Sequence, residues 1–179
     1  MSKIEPTFEQ AMNAAILWCN AWENEELSDE VLAERVSELL ASKDGTRGFF
    51  VISLASDCPL MDRLPEPLLL QFRAAGEIVI DIAVRNLAMS TAMATQHKRK
   101  GHFEEQAGSE RVTARTLELL RLLEPSQVKN RLEILLKATT KGEGADMSFL
   151  NRWGYDQEQK IAITSAIYAV ATKLKKGPK

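Results

Sequence analysis

Apolar residues recur at steps of three and four along most of this chain, the spacing of one face of an α-helix. Phe8, Met12, Ala15, Cys19 and Trp22 form the first such stripe, and Thr7 with Gln10 three residues on has the form of a reciprocal N-cap, so a helix is predicted over about 7–23. Ser28 followed by Asp29 and Glu30 sets a cap and two acids at the positive end of a second helix, with Val31, Leu32, Val36, Leu39 and Leu40 as its stripe. Lys43-Asp-Gly-Thr-Arg-Gly48 then reads as a loop.

Residues 49–84 admit two readings. Phe49-Phe-Val-Ile-Ser-Leu54 and Glu77-Ile-Val-Ile-Asp-Ile-Ala-Val84 are rich in residues that suit strands, and Pro67 suits the first turn of a short helix between them, which would make a small βαβ element. The helical reading is preferred. Nothing between Glu77 and Lys100 breaks a helix, Ala88, Met89, Ala92, Met93 and Ala94 are strong helix formers, and two strands without companions make a marginal sheet. A helix over 77–98 would be about 33 Å long, apolar on most of its circumference, and central to a bundle.

The second half of the chain is clearer. Ser109 is expected to cap a helix to about Leu123, and Pro125-Ser126 to start another to about Thr140, close enough to pair as a hairpin. Lys141 to Ala145 forms a loop, Met147 to Trp153 a short helix stopped by Gly154, and Asp156 with Gln159 caps a last helix to about Lys176, ended by Gly177-Pro178. The prediction is an all-α bundle of about seven helices in one domain over 1–179, with 77–98 at its centre.

Composition fits a globular protein: 45% hydrophobic and 27% charged residues, with only nine glycines and six prolines. Cys19 and Cys58 are far apart in sequence and form no metal-binding motif or disulfide framework, which suits a reducing, cytoplasmic compartment. The N-terminus lacks a signal-peptide pattern, and Asp81, Arg85 and Asn86 interrupt the most apolar window, so no membrane association is expected. Net charge is −2 but unevenly placed, with ten acids against four bases in residues 1–47 and a net +4 beyond.

That asymmetry directs attention to one basic corner. His97, Lys98, Arg99, Lys100 and His102 follow the apolar helix, Gly101 allows a tight reversal, and Arg111 and Arg115 stand near the start of the next helix. Cations at a helix C-terminus offset its partial negative charge. The same group, with N–H groups around Ser109, is also the candidate site for an anion or an acidic partner. His97 and His102 lack the spacing of a metal pair, so no metal site is assigned. Asp81 and Arg85 can pair along the central helix with Glu77 one turn earlier, and Ala88, Ala92 and Thr95 would let another backbone approach closely.

Arg111 to Lys137 has a helix, a turn and a second helix opening on Gln127, Lys129, Asn130 and Arg131, which suggests nucleic-acid contact as a secondary reading, against an acidic overall balance. There is no GxSxG, Walker, HExxH or GxGxxG motif, and Ser56-Asp57-Cys58 reads as a polar turn. Trp18, Trp22, Trp153 and Tyr155 are expected to fill the core or dock at its edge. No catalytic residue and no cofactor are assigned. The expected function is a non-enzymatic protein-interaction or regulatory (adaptor-like) protein that self-associates, with another protein or a second copy as partner. Nucleic-acid binding through residues 109–140, or a small-anion site near His97, are the alternatives.

Overall fold

In a computed structural model describing residues 4–175, the chain is helical nearly throughout. The order is α1 (Phe8–Glu23), α2 (Asp29–Leu39), α3 (Lys43–Ala55), a 3-10 turn (Pro59–Met61), α4 (Glu66–Ala75), α5 (Glu77–Lys100), α6 (Phe103–Leu122), α7 (Pro125–Lys141), α8 (Met147–Trp153) and α9 (Gln157–Lys175). The all-α fold stands as expected, with nine α-helices among the described residues rather than about seven and no strand among them. The βαβ alternative is thereby overturned: Phe49 to Leu54 lies in α3 and Glu77 to Val84 opens α5. The contacts gather into two compact units that divide at Ile82 and Ala83, inside α5.

In the first unit α1 packs on α3, and α2 on α4. The Thr7 and Gln10 capping box forms as predicted, and Ser28 caps α2 by accepting from the Val31 N–H at 3.2 Å. The predicted loop over 43–48 is instead the start of α3. Ser42 accepts from the Gly45 N–H at 3.0 Å, and both glycines are there for space. A Cβ on Gly45 would collide with the Leu39 carbonyl, and one on Gly48 would lie 2.6 Å from Ala11 Cβ and 2.7 Å from the Phe8 carbonyl, so glycine lets α3 press against α1. Phe49, Phe50 and Phe72 then meet in the core with ring centroids 5.1–5.9 Å apart.

In the second unit α9 packs on α6 and α7, and α8 on α7. Gly142 and Gly154 end α7 and α8 in the left-handed conformation. Asp156 and Gln159 form the expected reciprocal cap, both bonds at 3.0 Å. The stop at Gly177-Pro178 lies outside the described residues. Trp153 corrects an expectation, since it is exposed rather than docked, while Tyr155 meets Phe149 edge-on and burial pushes its phenol up to about 12. α5 is long and apolar enough to cross a bilayer by length and composition alone, a test that the core helix of a bundle also passes, and half of its most apolar window is buried within the chain.

Candidate functional site

The basic corner is built by the end of α5. The Gly101 N–H donates to the Lys98 carbonyl at 3.2 Å and the His102 N–H to the His97 carbonyl at 2.9 Å, with Gly101 at φ +70°, so the helix closes on a left-handed glycine and the chain reverses as predicted. The His97 and His102 rings lie 6.2 Å apart. His97 is half-buried, and its Nδ1 meets no hydrogen-bond partner among the described residues.

The arginines are not gathered into one patch. The Arg99 guanidinium grips Asp156 with two bonds of 2.6 and 2.8 Å and donates through Nε to Glu158 at 3.0 Å, tying the C-terminus of α5 to the N-terminus of α9. That bond with Arg99 is the main reason the Asp156 carboxyl is held down to about 2. Arg115 is buried. Arg111 is exposed, one turn before Arg115 on α6. The predicted cap at Ser109 is corrected as well: α6 begins at Phe103, so the N–H groups around Ser109 lie inside a helix rather than at its open end. Of the seven candidates, Lys98, Lys100 and His102 remain as exposed rim groups, Arg99 is bound to two carboxylates, and Arg115 belongs to the interior.

Beside this corner lies a cleft of about 510 Å³ that no sequence motif announced, between α5, α6 and α9. Thr91, Thr95 and Lys98 line one wall, with Gln106, Glu110 and Thr113 across it. A hydroxyl pair, Ser90 with Thr113 at 2.8 Å, joins α5 to α6 behind it, and Gln159 donates to the Ala92 carbonyl at 3.1 Å. Ala88 and Ala92 are fully buried, so the close approach their size permits is used inside this chain.

The hairpin of α6 and α7 forms, and polar residues near the start of α7 have partners within the chain. Arg131 makes a two-bond pair with the buried Asp146 at 2.6 and 2.9 Å. Glu124 caps the N-terminus of α7, accepting from the Ser126 and Gln127 N–H groups at 3.2 and 2.8 Å. The Ser126 hydroxyl and these N–H groups hold the Glu124 carboxyl below its usual range.

A partly apolar exposed ridge on α9 was missed by sequence reasoning. Ile161, Ser165, Tyr168 and Thr172 follow the spacing of one helix face, and all four are exposed on α9, with Ile161 57% and Tyr168 55% accessible. On one side of this ridge runs a second groove of about 420 Å³, whose floor is Pro125, Leu132, Leu136 and Ile167, with Tyr168 at its edge. The alternation of Ile161, Ile163, Ile167 and Tyr168 was the available signal, since α9 carries apolar residues on more than one face.

Among the described residues no three His, Cys, Asp or Glu side chains are grouped to hold a metal ion. Residues 7–170 match the model of a family described as uncharacterised conserved protein UCP020893. No curated protein and no solved structure matches the chain.

Proposed function

The chain belongs to that family of uncharacterised conserved proteins, and we propose that it is a non-enzymatic protein-interaction or regulatory protein, working in a reducing, cytoplasmic compartment, that docks a second protein chain on the α7–α9 face. The observation that carries this reading is the ridge of Ile161 and Tyr168 beside the apolar groove of Pro125, Leu132, Leu136 and Ile167. Large apolar side chains more than half exposed next to an apolar groove give a partner both a knob and a hole, and aromatic residues of this kind dominate the energetics of protein interfaces. A second copy of the chain is the first partner to test.

Sedimentation velocity over a range of protein and salt concentrations tests the proposal. Association through the apolar face survives added salt and weakens about tenfold or more in Tyr168→Glu. Association that salt abolishes and Tyr168→Glu does not would transfer the contact to the acidic residues of 1–47 and the basic corner. A monomer at every concentration removes self-association.

The cleft beside Lys98 favours a second reading, a site for a small polar molecule, because hydroxyls of Thr91, Thr95, Thr113 and Ser165 share it with one cation and one carboxylate, Lys98 and Glu110. Thermal denaturation with a panel of phosphates and carboxylates checks it, and an unmoved melting temperature throughout rejects it.

A further inference from the structure

Cys19 and Cys58 are 39 positions apart and belong to different elements, yet the fold brings them together. Cys19 is on the buried face of α1, and Cys58 ends the turn that leads into the 3-10 segment. The Cys58 thiol donates to the Cys19 carbonyl oxygen, with its Sγ 3.6 Å away, and the Cys19 thiol is its neighbour. They are the only cysteines in the chain, so each has one intramolecular partner. Both thiols are free in this structure.

We propose that Cys19 and Cys58 are a thiol-oxidation site, closing to an intramolecular disulfide when the protein meets a small-molecule disulfide of the oxidised-glutathione class.

The two thiols have unequal parts. Burial, and then the neighbouring Cys58, push the Cys19 thiol up to about 12, so it is the poorer first nucleophile at neutral pH. Both cysteines are buried, and Cys58 is the entry point because it sits in a short turn next to the exposed Asp57 and becomes accessible when that turn opens, whereas Cys19 is held within a helix. The Cys58 thiol loses its proton to solvent, and the thiolate attacks one sulfur of the small disulfide. One small thiol leaves and takes up a proton, and a mixed disulfide remains on Cys58. The Cys19 sulfur then attacks the Cys58 sulfur, its proton passes to solvent, and the second small thiol departs. The protein loses two hydrogen atoms, and the small disulfide is reduced to two thiols. The product covalently joins α1 to the turn before Pro59 across a loop of about forty residues, which stabilises the first unit by restricting its unfolded chain.

The test uses the full chain incubated with oxidised glutathione, then alkylated and weighed intact under non-reducing conditions. The expected product is a monomer lighter by two hydrogen atoms, with both thiols protected together and a Cys19–Cys58 linked peptide on digestion. Cys19→Ser is expected to retain a stable glutathione adduct on Cys58, and Cys58→Ser to leave Cys19 largely unmodified. So that the test does not depend on either variant folding, the wild type carries a second comparison. The glutathione redox ratio that holds half the chains closed should favour closure about tenfold or more over the same chain unfolded in urea, since a bond that stabilises the fold is stabilised by it in return. Thiols that remain open in the folded chain, a persistent wild-type adduct on Cys58, linked dimers, or equal closure in urea would each overturn the proposal.

Discussion

Phe49, Phe50 and Phe72 pack ring against ring in the first unit, whereas the second joins its helices through polar pairs: Ser90 with Thr113, Thr139 with Thr164 at 2.8 Å, Gln159 with the Ala92 carbonyl, and Arg131 with Asp146. Apolar contact is non-directional and rewards volume, so the first unit relies on fit: large rings in the middle and glycines where α3 presses on α1. A hydrogen bond between two helices forms at one register only, and leaving either partner buried and unmade is costly. The difference implies opposite sensitivities. The first unit should suffer most from lost volume, and the second most from the loss of one partner in a polar pair.

The largest expected effect is Phe50→Ala. Phe50 is fully buried and touches both other rings, and truncating such a side chain removes transfer energy and leaves a cavity, together about 3–5 kcal/mol. Urea unfolding of the two proteins measures it. A loss below about 1 kcal/mol would mean that the ring cluster does not anchor the first unit.

In the second unit the matching test is Asp146→Asn. Asp146 is 4% accessible and its partner Arg131 is also largely shielded, so neutralising the carboxylate removes a buried charge that the guanidinium grips with two bonds. The expected cost is about 2–4 kcal/mol. The comparison is sharpened by the double replacement Arg131→Met with Asp146→Leu, which should recover most of that loss, because removing both charges also removes the desolvation they share. If the double replacement is as damaging as the two single ones added together, the pair does not act as a unit.

What the sequence made legible follows the same division between local and distant causes. Thr7 with Gln10, Ser28, Gly154, and Asp156 with Gln159 act on neighbours within a few residues, and all marked their helix ends correctly. Gly45 and Gly48 misled because glycine usually signals a loop, and only the Leu39 carbonyl and the facing α1 backbone show why it stands inside a helix. The start of α6 was hidden for the opposite reason. Residues 104–111 are almost wholly exposed, so they carry no apolar stripe, and polar contacts such as Gln106 to Glu110 at 2.9 Å take its place. At the basic corner the cluster of cations was plain, but the groups that occupy Arg99 lie 57 and 59 residues further on, beyond any local pattern. Cys19 and Cys58 were unreadable as a pair for the same reason.

That ion pair between α5 and α9 supplies the smallest of the expected effects, and a pH scan resolves it. Asp156 has its folded-state pKa lowered from 3.8 to about 2, mainly by its bond with Arg99 and next by the Gln159 N–H. A carboxylate depressed in the folded state adds stability that is fully present above its unfolded pKa and is lost as pH falls through the folded value, so the window is about pH 4 down to about 2. Both partners are solvent-accessible, which keeps the contribution modest and sensitive to salt. Stability measured by urea unfolding should therefore fall less steeply across that window in Asp156→Asn than in the wild type. Arg99→Gln should flatten the curve as well, since the arginine is the larger cause, but incompletely, because the cap from Gln159 remains. Parallel curves for wild type and both variants would show that this contact positions the two helices without contributing to acid stability.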